Sequence, residues 1–338
     1  MDTPTAQRGN QNAGPCVQGM WTSDENGLLR RKKVLETGVT AREFDAAVAG
    51  GALLAVGRGV YIDAAGLTGK ADYLQRELTY RARCLAAVRS DGDDPPIRVL
   101  SHQSAASIHR LEVLDTERTR VHFTNGKAAG GRLKGRRIVI HTGKLNDDDV
   151  TVLHGVSVTG LERTAVDIAL TARSFAPALA VFDSALRHGA DPDRLRQQLE
   201  VARTGVARAR VALRYASGLA ANPGESWCRA QIIAAGFPVP VLQKRYRLND
   251  GTAAEVDHDF EGQVVLEFDG ESKYGAQWLR PGQTPADVVV AEKRREDGLR
   301  ELGLEVVRAM WDDLRSGTMI PRLGVRLRSR GIHVPGDF

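Results

Sequence analysis

Cysteine is scarce in this chain. Cys16, Cys84 and Cys228 lie far apart and form no CxxC pair. That excludes a disulfide framework and a cysteine-based zinc knuckle, and it fits a reducing cytoplasm. No apolar run approaches the ~18 residues of a membrane span, so a membrane-embedded role is not expected. The opening MDTPTAQRGNQNAGPCVQG lacks the apolar core of a signal peptide. It is polar and rich in Gly and Pro, so residues 1–25 are expected to form a disordered tail, with Met20 an alternative start. The histidines form no HxxxH-like cluster, which argues against zinc. No Walker loop occurs, and no GxGxxG follows a strand, so no nucleotide cofactor is indicated.

What the chain does have is length, apolar content and positive charge. Its 338 residues, 42% of them apolar, suffice for two or three domains with real cores. The net charge of +5 favours an acidic partner, nucleic acid first, and here distribution matters more than the total.

Residues 26–90 read as one small unit. LLRRKKVLETG is a short basic helix ended by Gly38, and Thr40-Ala-Arg-Glu43 is a capping box opening a second helix. ALLAV, the tight GRG and GVYIDA then predict a β-hairpin. Helix, turn, helix and hairpin is the order of a winged helix-turn-helix, whose second helix enters the major groove. Arg42 in that helix and Arg58 at the hairpin tip are the DNA-contact candidates. The same order also suits any small α+β unit. A helix over 70–88 trails the unit, and SDGDDPP marks a boundary after it.

Residues 97–217 read as a middle α+β region. SHQSAASIHRL is a short helix, and RTRVHFTN and RRIVIHTG are β-like runs joined by GKAAGGRLKG. Residues 118–144 hold eight Lys/Arg and no Asp/Glu. A strand pair of one sign is a candidate phosphate surface, with Arg132, Lys134, Arg136 and Arg137 at its centre. The competing reading is an edge hairpin kept soluble by its cations. Thr159-Gly-Leu-Glu162 reads as another capping box, and Arg163 with Asp167 as an intrahelical ion pair. Helices fill 177–217, broken at GADPD.

Residues 222–338 hold the sharpest chemistry. The predicted order is a helix from NPGES, the strands VPVLQKRYRL, AAEVDHDF and QVVLEFDG, a helix through EKRREDGLRELG, then the strand LEVVRAMW and a closing helix. That is a mixed sheet flanked by helices, in a chain that is α/β here and α+β overall. VVLEFDG ends an apolar strand in two carboxylates, which a core strand has no use for. Asp257 and Glu267 on adjacent strands can hold Mg²⁺ or Mn²⁺ through oxygen ligands. Glu225 on the preceding helix and Lys273 beyond the strand would complete a centre for phosphodiester hydrolysis, the lysine acting on water. Asp269, Lys293 and Asp297 are secondary candidates. The pairing carries a condition. An even turn at Glu261-Gly262 would put Glu267 on the wrong face, whereas an odd turn such as Glu261-Gly262-Gln263 pairs it with Asp257.

AEVDHDF, VVLEFDG and EKRREDGLRELGLEVVRAMW, within residues 223–314, resemble the very-short-patch-repair-type branch of the PD-(D/E)xK endonuclease superfamily. The resemblance implies a restriction-endonuclease-like fold, with Asp257 the first metal ligand, Glu267 the second and Glu225 the helix acid. This chain departs from the pattern at Asp269, where the superfamily carries its lysine. Lys273 or Lys293 would have to replace it; otherwise the fold serves binding alone. LLRRKKVLETGVTAREFDAAVAGGALLAVGRGVYI, SHQSAASIHRL, RVHFT and GVSVTGLERTAVDIAL, within 26–186, resemble the AbiEi-type antitoxins of type IV toxin–antitoxin systems. That resemblance implies DNA binding, transcriptional autoregulation and a cognate toxin. Two expectations follow. One is a Mg²⁺-dependent DNA endonuclease, with RNA as the other possible substrate. The other is a cytoplasmic antitoxin and transcriptional regulator with an inactive nuclease fold.

Overall fold

The computed structural model describes residues 21–89, 99–114, 118–127, 131, 133–270 and 284–336. The chain divides into two compact units, Met1–Thr68 and Gly69–Phe338.

The first unit runs β1 (Leu29–Arg30), α1 (Arg31–Glu36), α2 (Ala41–Ala49), β2 (Leu53–Gly57) and β3 (Val60–Asp63). The strands form an antiparallel sheet in the order β1-β3-β2. α2 opens on the expected capping box: Thr40 N–H donates to Glu43 Oε2 at 2.8 Å and Glu43 N–H to Thr40 Oγ1 at 3.3 Å. Phe44 is fully buried against Leu29, Val34 and Leu53. The expected tail over 1–25 needs correction at its end. Trp21 packs edge-on to Phe44 with ring centroids 6.0 Å apart, because a large aromatic gains more from burial than from exposure. Residues 1–20 lie outside the described residues.

The second unit begins with α3 (Asp72–Arg89), β4 (Val99–Leu100), α4 (His102–His109), β5 (Val121–Gly126), β6 (Leu133–Lys134), β7 (Ile138–Lys144), β8 (Val150–Leu153) and β9 (Val156–Thr159). It continues through α5 (Leu161–Thr171), α6 (Phe175–Arg187), α7 (Pro192–Gln198), α8 (Val206–Tyr215) and α9 (Pro223–Ala234). It ends with β10 (Val241–Arg247), β11 (Ala253–Phe260), β12 (Val264–Phe268), α10 (Pro285–Glu301), β13 (Glu305–Ala309), α11 (Trp311–Ser316) and α12 (Met319–Ser329). α3, which the sequence attaches to the winged unit, belongs here: the Tyr80 hydroxyl donates to Arg120 O at 2.8 Å, and Ser107 on α4 donates to Glu77.

A six-stranded mixed sheet runs β6-β7-β5-β4-β9-β8. The two basic β-like runs do not form a hairpin. β5 and β7 lie parallel, Val121 opposite Ile138, and β6 is the antiparallel edge strand beside β7. A parallel pair needs a connection long enough to bring the chain back, and the Gly-rich segment between the runs supplies it. The second expected capping box is also absent. α5 is capped by Gly160, which has no side chain to offer; Thr159 Oγ1 instead meets Thr164 Oγ1 at 2.7 Å, and Glu162 accepts from Asp191 N–H at 2.9 Å. Helices α5 to α8 share one apolar core built on Ile168, Leu179, Phe182 and Leu195.

The four-stranded sheet runs β10-β11-β12-β13, antiparallel except for β12 and β13, which α10 joins as a parallel crossover. α9 covers one face, where Cys228 and Ile232 meet Phe260, Leu266 and Phe268. The approach is close enough to require glycine: a Cβ on Gly224 would stand 2.0 Å from the Phe268 ring. The same helix packs on α6 through the buried Arg229–Asp183 ion pair, so no gap opens at residues 217–222. Among the described residues no helix is long and apolar enough to cross a membrane.

Candidate functional site

In the first unit, Phe44 turns one side of α2 inward and leaves Arg42 in its first turn exposed. Arg58 is exposed between β2 and β3, beside Gly59, whose φ of 66° suits the tight turn. Lys32 and Lys33 are exposed on α1. The helix pair and the hairpin tip therefore both present cations. Of the basic residues of the second unit, Arg136 and Arg137 are exposed just before β7, and Lys134 lies on edge strand β6. Arg132 lies outside the described residues.

The carboxylates of the four-stranded sheet meet the turn condition. Phe260 pairs with Val264 and His258 with Leu266, around the three-residue turn Glu261, Gly262 and Gln263. The recorded ladder ends at that rung, and the same register continued by one step would set Asp257 opposite Glu267. Glu261 and Gly262 take φ of 53° and 68°, and Asp259 Oδ2 accepts from Gly262 N–H at 3.1 Å. Asp257 sits where the strand's alternation breaks. Val256 packs with Val265 and Leu299, whereas Phe260 packs with Cys228 and Ile232 on the other face. Gln243 on the neighbouring strand has φ of 49° at this level. Asp257 Oδ2 accepts the Phe268 N–H at 2.7 Å.

Glu267, 4% exposed, is aimed at α10, where Arg295 Nη1 stands 3.1 Å from its Oε1. Arg295 also holds Glu292 at 2.7 Å. Arg308 on β13 reaches Asp269 at 3.3 Å, Glu292 at 2.8 Å and Glu296 at 2.7 Å. These charges form one network across β12, β13 and α10. The Arg295 hydrogen bond, with Arg308 behind it, pulls the Glu292 carboxyl down to about 2.

Glu225, also 4% exposed, closes the N-terminus of α9. Its Oε2 accepts from Ala221 N–H at 2.7 Å and Gln243 Nε2 at 3.0 Å, and its Oε1 from Asn222 Nδ2 at 2.6 Å. Lys293 and Asp297 are exposed on α10, and Lys273 lies outside the described residues. Among the described residues no group of three or more His, Cys, Asp or Glu side chains is arranged to hold a metal ion. The cation beside Glu267 is Arg295, which the sequence reading passed over. A signal for it existed. Leu299 is the buried anchor of α10, and stepping back three, four and seven residues reaches Glu296, Arg295 and Glu292, the inward face of the helix.

Residues 100–216 match the family of the AbiEi antitoxin C-terminal domain. The matched segment, about a third of the chain, runs from β4 through α8. In the sequence it follows Arg42 and Arg58 and precedes Asp257 and Glu267. No curated protein matches the chain.

Proposed function

We propose that this protein is a DNA-binding regulator of the toxin–antitoxin type that does not hydrolyse its DNA. The match of residues 100–216 to an AbiEi antitoxin C-terminal domain carries the reading. In it, the first unit acts as a winged helix-turn-helix: Arg42 enters the groove, Arg58 grips a phosphate, and Arg136 and Arg137 add phosphate contacts from the second unit. A cognate toxin is the protein partner, met in the cytoplasm. In this reading the C-terminal sheet needs no metal: the Arg295 guanidinium neutralises Glu267, and Arg308 meets the neighbouring Asp269, Glu292 and Glu296.

Fluorescence anisotropy with DNA from upstream of the protein's own gene tests the proposal. Arg42→Ala and Arg58→Ala are each expected to weaken binding about ten-fold. A phosphate-gripping Arg58 would also lower the salt dependence by about one counterion. Full-length protein that binds no DNA at low salt would sink the reading.

A second reading, a Mg²⁺- or Mn²⁺-dependent endonuclease, draws on one observation, the odd turn whose register, continued by one step, would set Asp257 opposite Glu267. In that reading Asp257 and Glu267 hold the metal, Glu225 assists and Lys273 activates water. Supercoiled plasmid and a labelled RNA, each with either metal, decide it. No nicking by protein that still binds DNA is the expected result. Metal-dependent cleavage abolished by Glu267→Ala would replace the regulator with the nuclease.

A further inference from the structure

The middle of the second unit contains a cavity of about 800 Å³ that neither DNA binding nor the C-terminal carboxylates use. β7, the turn Asp147–Asp149, α5 and α7 wall it. In its wall Arg163 Nε lies 3.0 Å from both Asp167 oxygens. Arg163 Nη1 also reaches Lys144 O at 3.0 Å and Asp149 Oδ2 at 3.3 Å. Gly143 makes room for this guanidinium, since a Cβ there would stand 3.3 Å from Arg163 Nη2.

The acids of this wall are all engaged. Asp149 and Asp167 hold Arg163, Asp148 faces Arg194 at 4.0 Å, and Glu162 accepts the Asp191 N–H. The cations are not matched in the same way. The four cations of the wall, Lys144, Arg163, Arg194 and Arg203, balance its four acids, Asp148, Asp149, Glu162 and Asp167, but Arg203 and Lys144 make no direct ion pair among the described residues, because Arg163 takes up two of the acids. Three buried polar atoms also lack a hydrogen-bond partner among the described residues: Arg203 Nε, Thr124 Oγ1 and Gln198 Oε1. Thr124 is 1% exposed. A buried donor or acceptor left unmade costs the desolvation of the group, which a ligand would recover. Finally, His102 and His141 line the cavity with their rings stacked, centroids 3.6 Å apart and planes within 14°.

We propose that this cavity binds the phosphate ester of a nucleoside. Arg203 and Lys144 take the phosphate, Thr124 and Gln198 hydrogen-bond the polar edges, and the stacked imidazoles give the base a flat wall. No phosphate-loop motif announces the site in the sequence, because its parts come from α4, β5, β7, α7 and the segment that follows α7. The proposal does not depend on DNA binding by the first unit.

Isothermal titration of the full chain with AMP, GMP, CMP and UMP, and with inorganic phosphate as reference, tests it. At least one nucleotide is expected to bind saturably at a single site, about ten-fold tighter than phosphate. Arg203→Met and Thr124→Val are each expected to weaken that binding about ten-fold. Thr124→Val should leave the melting temperature unchanged or raised, because a methyl replaces an unpartnered hydroxyl; a merely structural threonine would not separate the two readouts. Competition by a 5′-phosphorylated oligonucleotide, and not by its 5′-hydroxyl form, would identify a strand end as the source; competition by neither would identify a free nucleotide. Three results overturn the proposal: no saturable binding up to about 10 mM, binding unchanged in both variants, or phosphate bound as tightly as any nucleotide.

Discussion

Glu267 and Arg295 set the character of the C-terminal sheet residue by residue. A carboxylate only 4% exposed is costly unless a charge or donors meet it, and the guanidinium 3.1 Å away does so. Arg295→Met, which keeps the stem and removes the charge, is therefore expected to destabilise the protein by about 3 kcal/mol at pH 7. The cost has a pH signature. Glu292 titrates at about 2 when folded, against 4.5 ordinarily. Its contribution is present above the ordinary value and lost as pH falls through the folded one. Urea midpoints at pH 7 and near pH 2 should thus show the wild type and Arg295→Met converging in acid. A variant as stable as wild type at neutral pH would mean that the guanidinium is dispensable. Asp257 and Glu267 were legible as candidates from spacing, but whether the turn between their strands is even or odd was left open, and the structure gives the three-residue turn. Arg295 was harder to see, because it becomes a partner only when α10 crosses back over the sheet.

At the level of elements, α9 works on two fronts. One face covers the four-stranded sheet, and the other meets α6 through Arg229 and Asp183, which are 3% and 0% exposed in their side chains. Asp183 also accepts the Ser217 N–H at 2.8 Å, so it pins the loop that leads toward α9. Removing one partner of such a pair strands a buried charge. Arg229→Leu is expected to cost about 3–5 kcal/mol, and adding Asp183→Leu should recover much of that. Thermal unfolding of the two single variants and the double variant measures the coupling; additive losses would contradict it. Helices were the easiest elements to place, through apolar period and caps such as Thr40–Glu43. The β5–β7 pairing escaped because two β-like runs and a Gly-rich link fit a hairpin as well as a parallel pair with a crossover.

For the whole molecule, the sequence suggests boundaries at about 90–97 and 217–222, where composition changes. The contacts divide the chain at Thr68 instead. Limited proteolysis is expected to spare the segment 217–222, because α9 shares its core with α6, and a chain beginning at 69 should fold with both sheets intact. Early cleavage at 217–222, releasing a stable C-terminal fragment, would show that the Arg229–Asp183 contact does not join the two regions.

Local rules were enough to derive much of this protein. Apolar period, caps and turns specified the element types, the α+β class and the candidate arginines of the first unit, and they narrowed the turn beneath Asp257 and Glu267 to an even or an odd one. These depend on neighbours within a few residues, which a sequence displays directly. Long-range closure decided the rest: that β5 and β7 run parallel, that α9 fuses two cores, that Arg295 stands against Glu267, and that His102, Thr124, His141 and Arg203 surround one cavity. Each of those facts joins residues far apart in the chain, and their proximity follows only from how the sheets and helices pack.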